Sequence, residues 1–279
     1  MLYRLHTVAG MPLTIATGVK RSVLNLMEKI TYACATKVYP NSYGMKDIIQ
    51  ENKFAKEEKQ KVIGNGSSNG IDTSEFDPAS VNGDTSAFIR YELGIGLDDF
   101  VYLFVGRVVG DKGVNELVSA FDSIYKSHKV AHLIIVGKEE SELDPLLADT
   151  TNIINNNPHI HAVGYRNNVK DYFAASDLLV FPSYREGFPN VVMQAAAMQL
   201  NCVVSDINGC NEIITQGENG WIVPAKDNEA LQERMMWCID NPEKSQAMGL
   251  KSRKLMIEKY ERRFVQEELL KEYNRLINN

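Results

Sequence analysis

Residues 177–206 read DLLVFPSYREGFPNVVMQAAAMQLNCVVSD and decide the fold. Two short apolar runs, DLLVF and NCVV, flank a segment whose small and apolar residues suit a buried helix. A strand, a helix and a second strand in this order form a βαβ unit, in which the two strands lie parallel in one sheet. The stretch therefore predicts an α/β protein whose helices cover a parallel sheet.

The same alternation continues on both sides of this unit. Further strands are predicted for the apolar runs FVYLFVG (100–106), AHLIIVG (131–137), HIHAVGY (159–165) and GWIVPA (220–225). Helices are predicted between them at residues 114–125, 169–177 and 210–216. Strands that alternate with helices predict a parallel, doubly wound sheet.

The N-terminal residues repeat the pattern on a smaller scale. Three strands are predicted, LYRLHTV (2–8), TKVYPNS (36–42) and KQKVIGN (59–65), with helices at 20–35 and 43–52. Residues 64–86 are rich in Gly, Asn, Ser and Asp, which predicts a linker. Residues 227–279 are predicted to be helical, with a charge pair between Glu258 and Arg262.

Charge and cysteine usage limit the partners. The net charge is −6, which argues against a nucleic-acid-binding protein. Residues 1–63 nevertheless carry ten Lys and Arg against five Asp and Glu, so this segment either faces an anionic membrane surface or forms a solvated charged face. The four cysteines form no CxxC pair, which indicates a reduced, cytoplasmic protein without a cysteine metal site.

The loop after the strand at 100–106 carries two cations. In open α/β sheets, ligands bind at the carboxyl ends of the strands. There, Arg107 and Lys112 stand five residues apart in a turn that begins at Gly106. An arginine fork and a lysine point charge together suit a pyrophosphate, whereas the alternative is a solvated basic turn.

The loop after DLLVF predicts a second half of the same site. Pro189 suits the first position of a helix, whose positive end favours a phosphate. Glu186 lies before this end and accepts hydrogen bonds from hydroxyls, and Gln194 about one turn inside the helix both donates and accepts. The alternative is an ordinary loop glutamate and a surface glutamine. The free N–H groups expected to face the anion are those of Phe188, Asn190 and Val191.

Taken together, GRVVGDKG, REGFPNVVMQA, INGCNEII and GENGWIVP resemble the C-terminal half of the group 1 glycosyltransferases, classified as glycosyltransferase family 4, which have the GT-B fold. GNGSSNGIDTSEFDP resembles the segment that joins the two Rossmann-like domains of that family. The resemblance covers nearly the whole chain. It implies an incomplete N-terminal, acceptor-side domain with linker over 1–80, a C-terminal nucleotide-sugar-binding domain over 87–258, and a terminal helix over 259–279 that returns to the N-terminal domain.

The resemblance also implies a role for each candidate residue. Arg107 and Lys112 would hold the donor diphosphate, and Glu186, as the first acid of the family's E-x7-E motif, would contact donor-sugar hydroxyls; these three are the candidate catalytic residues. Gln194 replaces the second glutamate, which usually binds the ribose, so a weaker grip on the ribose is expected. The remaining donor-binding candidates act through their backbone and are Gly106, Tyr165, Arg166, Gly187, Phe188, Pro189, Asn190 and Val191.

The implied function is that of a retaining glycosyltransferase. It would move a sugar from a nucleotide-diphosphate sugar to a glycan or lipid-linked acceptor in bacterial surface polysaccharide synthesis. UDP is the first nucleotide expected in the donor, and GDP is the second. No metal or other cofactor is expected, because cationic side chains and a helix end stabilise the leaving group. The protein would be cytoplasmic, either free or peripheral at the inner face of the plasma membrane. The alternatives are a non-catalytic nucleotide-sugar-binding remnant, a nucleotide-sugar epimerase and a dehydrogenase.

Two departures from the family concern the N-terminal side. The chain is expected to begin inside the N-terminal domain, without its first strands and glycine-rich loop. Where the family commonly has His-Gly after a strand, this sequence has Ala9-Gly10, with His6 three residues earlier. Acceptor binding is the property that these departures affect.

Overall fold

In the computed structural model, which describes residues 3–11, 13 and 17–278, strands and helices alternate along the chain. The strands are β1 (Leu5–Val8), β2 (Lys37–Pro40), β3 (Phe100–Val105), β4 (Ala131–Val136), β5 (Ile160–Gly164), β6 (Leu178–Phe181), β7 (Asn201–Ser205) and β8 (Trp221–Val223). The helices are α1 (Gly18–Cys34), α2 (Tyr43–Glu51), α3 (Gly83–Glu92), α4 (Val114–Ser127), α5 (Ala148–Asn156), α6 (Val169–Ala174), α7 (Asn190–Ala197), α8 (Cys210–Ile213), α9 (Asn228–Asp240), α10 (Pro242–Leu255) and α11 (Arg262–Ile277).

The six C-terminal strands form one sheet in the order β5-β4-β3-β6-β7-β8, and every neighbouring pair is parallel. All six residues of β4 are buried, because helices cover both faces of the sheet. The strand order reverses direction between β3 and β6. Such a switch point opens a crevice at the carboxyl ends of the two strands. The parallel, doubly wound prediction is therefore confirmed for this sheet.

The N-terminal part contains a smaller sheet. Strands β1 and β2 pair in parallel, with Leu5 opposite Lys37. The predicted strand at 59–65 is wrong, since only Gln60 bridges Val38 and the chain then turns at Gly64, where φ is +57°. Leu2, the first residue of the first predicted strand, lies outside the described residues.

Two helices were not predicted. Helix α3 begins inside the predicted linker, where the Asn82 side chain accepts a hydrogen bond from the backbone N–H of Asp84 and caps the helix. Helix α5 lies in a polar, asparagine-rich run, and its two isoleucines pack against the core from a half-buried face. Both helices lack the regular apolar spacing that marks α4.

The predicted pair between Glu258 and Arg262 is wrong, although the tail is helical as predicted. A π-helical turn ends at Tyr260, and the backbone of Glu261 leaves the helical region, with φ −52° and ψ 133°. The two residues therefore do not share one helix face. Instead, a guanidinium nitrogen of Arg262 lies 3.4 Å from a carboxylate oxygen of Asp72.

Helix α11 lies against the N-terminal part through one buried carboxylate. Glu272 is 1% exposed, and its oxygens accept hydrogen bonds from the Tyr39 hydroxyl at 3.1 Å and from Lys61 Nζ at 2.6 Å. Arg275, on the same helix, also donates to this carboxylate: its Nη2 lies 2.7 Å from Glu272 Oε1 and its Nε lies 3.0 Å from Oε2. The tail thus contacts β2 and the chain that follows it. The division into domains at 1–80, 87–258 and 259–279 stays a prediction.

Candidate active site

The loops after β3 and β6 meet at the switch point of the sheet. Gly113 ends the first loop with φ +71°, a conformation that favours glycine. A Cβ atom at Gly113 would lie 2.1 Å from the carbonyl oxygen of Pro182 in the second loop. The contact therefore requires a glycine, and it brings the two predicted halves of the site together.

Lys112 and Glu186 form an ion pair between these loops. The Ser183 hydroxyl donates a second hydrogen bond to the same Glu186 oxygen, Oε1, at 3.1 Å. The two charged side chains are only 14% and 19% exposed, so solvent screens their interaction weakly. The structure thus places a partly desolvated cation and carboxylate at the edge of the sheet where ligands bind.

This pair faces a cavity of about 130 Å³ between the sheet and the N-terminal part, which we call the cleft. Its residues come from both parts of the chain: Ala9, Gly10, Met11, Met45, Lys112, Arg185, Glu186, Gly187 and Asn208. Gly187 packs closely on the opposite wall, since a Cβ atom there would lie 1.8 Å from the carbonyl oxygen of Ala9. The backbone of Ala9 and Gly10 therefore forms one wall of the cleft.

Helix α7 begins beside the cleft at Asn190, with Pro189 as its cap residue, one position later than predicted. Phe188 is buried against the ring of Tyr260, with the ring centroids 5.3 Å apart. Asn190 is exposed and Val191 is half-buried. The start of α7 thus lies immediately after Glu186, as the sequence predicts.

Arg107 does not join Lys112. One guanidinium nitrogen lies 3.3 Å from Glu140 and the other 3.9 Å from Asp111. Arg107 lines a second cavity, of about 390 Å³, which we call the outer cavity. Its lining residues are Val105, Gly106, Arg107, Val136, Gly137, Lys138, Glu140, Tyr165, Arg166 and Val169. The two predicted diphosphate ligands therefore line different cavities.

The outer cavity combines an aromatic ring with cations. Tyr165 is 69% exposed, and Arg166 Nε donates a hydrogen bond to the Tyr172 hydroxyl at 2.9 Å. Arg107, Lys138 and Arg166 all line the cavity. An exposed ring offers a face for stacking, and the cations favour an anionic group.

Two of the predicted positions stand apart from the cleft. Gln194 is half-buried in α7 and lines neither the cleft nor the outer cavity. His6 packs on Tyr32, with ring centroids 5.4 Å apart, and is not among the residues of the cleft.

Sequence reasoning missed four residues of the cleft, the apolar Met11 and Met45 and the polar Arg185 and Asn208. Arg185 Nη2 lies 2.9 Å from Asp111 Oδ2, which ties the two loops together a second time. The Asn208 side-chain amide donates to the carbonyl oxygens of Glu186 and, at 3.3 Å, Gly187. Arg185 could have been found, because it lies next to Glu186 in the same loop. Asn208 has no such signal, because it follows a different strand, β7.

A thiol lies buried beside the pair. Burial raises the pKa of Cys210 well above its ordinary value, and the negative charge of Glu186 adds to this increase. The thiol is therefore neutral at physiological pH, and nucleophilic chemistry at this position is unfavourable.

No helix within residues 3–11, 13 and 17–278 is long and apolar enough to cross a membrane. Among the same residues, no group of three or more His, Cys, Asp or Glu side chains could hold a metal ion.

Known proteins resemble this chain along most of its length. The family model "Glycosyl transferases group 1" matches residues 86–255. The capsular polysaccharide biosynthesis glycosyltransferase CapM of Staphylococcus aureus is 31% identical over 271 residues, which cover 97% of this chain and 70% of CapM. An Escherichia coli UDP-Gal:alpha-D-GlcNAc-diphosphoundecaprenol alpha-1,3-galactosyltransferase is 26% identical over 85% of this chain, which spans 60% of that relative.

A solved structure has the same fold. Anabaena HepE in complex with UDP superposes with a TM-score of 0.83 at 17% identity, over 97% of this chain and 71% of HepE. At this identity the likeness concerns the fold, and it confirms the predicted α/β architecture of the GT-B type.

Proposed function

Because the chain belongs to the group 1 glycosyltransferases, a family of enzymes, we propose that it transfers a sugar from a UDP-sugar to a glycan or lipid-linked acceptor in bacterial surface polysaccharide synthesis. The observation that carries the proposal is the Lys112–Glu186 pair in the cleft, beside the start of α7. The names of the relatives agree with it: CapM acts in capsular polysaccharide biosynthesis, and the E. coli relative is named for UDP-Gal and a diphosphoundecaprenol acceptor.

The two cavities suggest how a donor binds. The base would occupy the outer cavity against Tyr165, and the diphosphate would run from Arg107 toward Lys112 and the start of α7. Lys112 would then exchange the Glu186 carboxylate for a phosphate oxygen. The freed carboxylate would accept hydrogen bonds from the donor-sugar hydroxyls, which gives the ion pair a function in donor binding.

The proposed reaction retains the anomeric configuration. The bond between the anomeric carbon and the phosphate oxygen breaks, and the acceptor oxygen bonds to the same face of that carbon. The acceptor proton passes to an oxygen of the departing diphosphate. Lys112, Arg107 and the start of α7 would stabilise the developing negative charge, so we propose that transfer requires no metal ion.

A transfer assay tests this proposal. The protein is incubated with UDP-sugars labelled in the sugar and with diphosphoundecaprenol-linked acceptors, in EDTA and then in Mg²⁺. The proposal expects labelled lipid at equal rates in both conditions. Binding of UDP without transfer to any acceptor would instead support the non-catalytic remnant, and transfer only with Mg²⁺ would contradict the metal-free mechanism.

Arg107→Ala is expected to weaken UDP binding about tenfold, because one cation is removed from the diphosphate path. Isothermal titration calorimetry of the parent and the variant with UDP measures this. Arg263→Ala, which removes an exposed arginine on α11, is the matched control and should bind UDP as the parent does. Equal affinity of the Arg107 variant and the control would remove Arg107 from the donor site.

We also propose that the N-terminal segment contacts an anionic membrane surface from the cytoplasmic side. Helix α1 exposes an apolar stripe in which each residue is between 52% and 81% exposed: Val19, Val23, Leu26, Met27 and Ile30. On a helix of 3.6 residues per turn, Lys20 borders this stripe on one side and Lys29 on the other. Apolar residues flanked by lysines are typical of a helix that lies in the interface of an anionic bilayer.

Val23→Asp combined with Leu26→Asp is expected to reduce binding to phosphatidylglycerol vesicles at least about tenfold, since two apolar side chains would lose their burial. Vesicle sedimentation measures the bound fraction, with pure phosphatidylcholine vesicles as the neutral comparison. Leu97→Asp with Leu147→Asp is the matched control, because both leucines are exposed and lie outside the stripe. Equal binding of the two double variants would contradict the membrane proposal.

A further inference from the structure

A carboxylate from the C-terminal part of the chain caps a helix of the N-terminal part. Glu212, in the short helix α8, accepts hydrogen bonds from the backbone N–H groups of Tyr43 at 2.8 Å and Gly44 at 3.0 Å. These are the first two residues of α2, whose N–H groups have no partner within the helix. The negative charge also lies at the positive end of the helix dipole. The contact is therefore both hydrogen-bonded and electrostatically favourable.

The same segment holds the loop that carries Glu186. Asn208, four residues before Glu212, donates its amide to the carbonyl oxygens of Glu186 and Gly187. It also touches α2 directly, because a Cβ atom on Gly44 would come 2.7 Å from the Cβ of Asn208. Residues 208–212 thus contact the cleft loop and α2 at the same time.

Tyr260, in the C-terminal helical tail, holds Glu212 in position. The Tyr260 hydroxyl donates to the Glu212 carbonyl oxygen at 3.1 Å. The ring of Tyr260 packs on Phe188, two residues after Glu186. The carboxylate is therefore held by the part of the molecule that forms the Lys112–Glu186 side of the cleft.

We infer that Glu212 is a positioning residue that sets the width of the cleft by tying the start of α2 to the C-terminal sheet. Met45, the third residue of α2, lines the cleft opposite Lys112 and Glu186. Loss of the Glu212 contact lets α2 move away and widens the space that the donor sugar occupies. This role in donor binding rests on the proposed function. The contact of Glu212 with the start of α2, which ties the two parts of the chain together, does not.

The width can be measured without activity. Cys34 on α1 is exposed and the other cysteines are buried, so spin labels on Cys34 and on an introduced Lys126→Cys report the distance between the two parts. Double electron–electron resonance is expected to give one narrow distribution for the doubly labelled parent. Glu212→Ala shifts it to longer distances and broadens it. Glu212→Gln, which keeps one acceptor oxygen, falls between them.

Two further variants keep the test decisive. Gly44→Ala leaves the carboxylate in place but drives a methyl group into Asn208, so it also lengthens the distance; alanine is the better helix former, so helix loss is no explanation. Glu218→Ala, in an exposed turn, is the matched control and leaves the distance unchanged. Unchanged distributions in folded Glu212→Ala, or in Glu212→Gln and Gly44→Ala if the alanine variant does not fold, overturn the inference.

Donor kinetics separate this inference from the proposed function. Glu212→Ala raises KM for the UDP-sugar about tenfold and changes kcat less than about threefold, because saturating donor restores the cleft width of the parent. Glu212→Gln recovers part of the loss. If the parent binds no nucleotide sugar and the label distance still lengthens in Glu212→Ala, the tie stands and the proposed function fails. If the parent transfers sugar and the label distance does not change in Glu212→Ala, the proposed function stands and the tie fails.

Discussion

Lys112→Ala is expected to lower kcat for sugar transfer about 10²–10³-fold and to weaken UDP binding at least about tenfold. Lys112 is only 14% exposed and lies in the cleft beside Glu186, so its charge acts in a partly desolvated site. Its removal takes away the cation that would stabilise the leaving diphosphate and leaves Glu186 with the Ser183 hydroxyl as a remaining partner. The uncompensated carboxylate would then repel the diphosphate as well.

Lys112→Arg and Lys126→Ala make this prediction specific. The arginine variant keeps the charge and should recover part of kcat, whereas Lys126, which is exposed on α4, should be replaceable without effect. Initial rates at saturating donor measure kcat, and thermal unfolding shows whether the cleft variant is folded. A folded Lys112→Ala protein with the rate of the parent would show that this lysine does not take part in transfer.

The C-terminal sheet was predictable because its signals are local. Each strand is a short apolar run, and both faces of the sheet are covered, so FVYLFV and AHLIIV stand out from their neighbours. The N-terminal strand at 59–65 failed for the converse reason. The run KQKVIGN has only two adjacent apolar residues, Val62 and Ile63, and β2 accepts only one bridge, from Gln60, before the chain turns at Gly64.

Only the residues of the candidate site that lie in the loops after β3 and β6 could be predicted from the sequence. Glu186 and Lys112 lie after strands whose carboxyl ends meet at the switch point, so the sheet topology brings them together. Arg107 was assigned to the same group because it is close in sequence, yet Glu140 and Asp111 draw it to the outer cavity. Glu212 had no local signal, since its partner Gly44 lies 168 positions away. Contacts of this kind depend on how the two parts of the chain pack.

Glu272→Ala is expected to lower the free energy of unfolding by about 3 kcal/mol, because the variant loses hydrogen bonds from three side chains to one charged carboxylate. The Tyr39 hydroxyl is buried and loses its acceptor, while Lys61 and Arg275 are half exposed and can reach water. For a chain of this size the change corresponds to a decrease in Tm of about 6–12 °C. Glu268→Ala, on the same helix, is the matched control, since its partner Lys271 is 69% exposed and the pair contributes little.

The effect of Glu272 should depend on pH in one direction. Hydrogen bonds from Arg275, and then from Lys61, lower the pKa of the Glu272 carboxyl from its ordinary 4.5 to about 2, against the opposing effect of burial. The folded protein therefore binds this proton less readily than the unfolded chain, so the carboxylate stabilises the fold fully above about pH 4.5 and loses its contribution as the pH falls toward 2. The Tm difference between the parent and Glu272→Ala should be constant from pH 7 to 5 and shrink below that, as measured by calorimetry. A difference that grows on acidification, or one no larger than that of Glu268→Ala at pH 7, would mean that this carboxylate does not hold α11 to the N-terminal sheet.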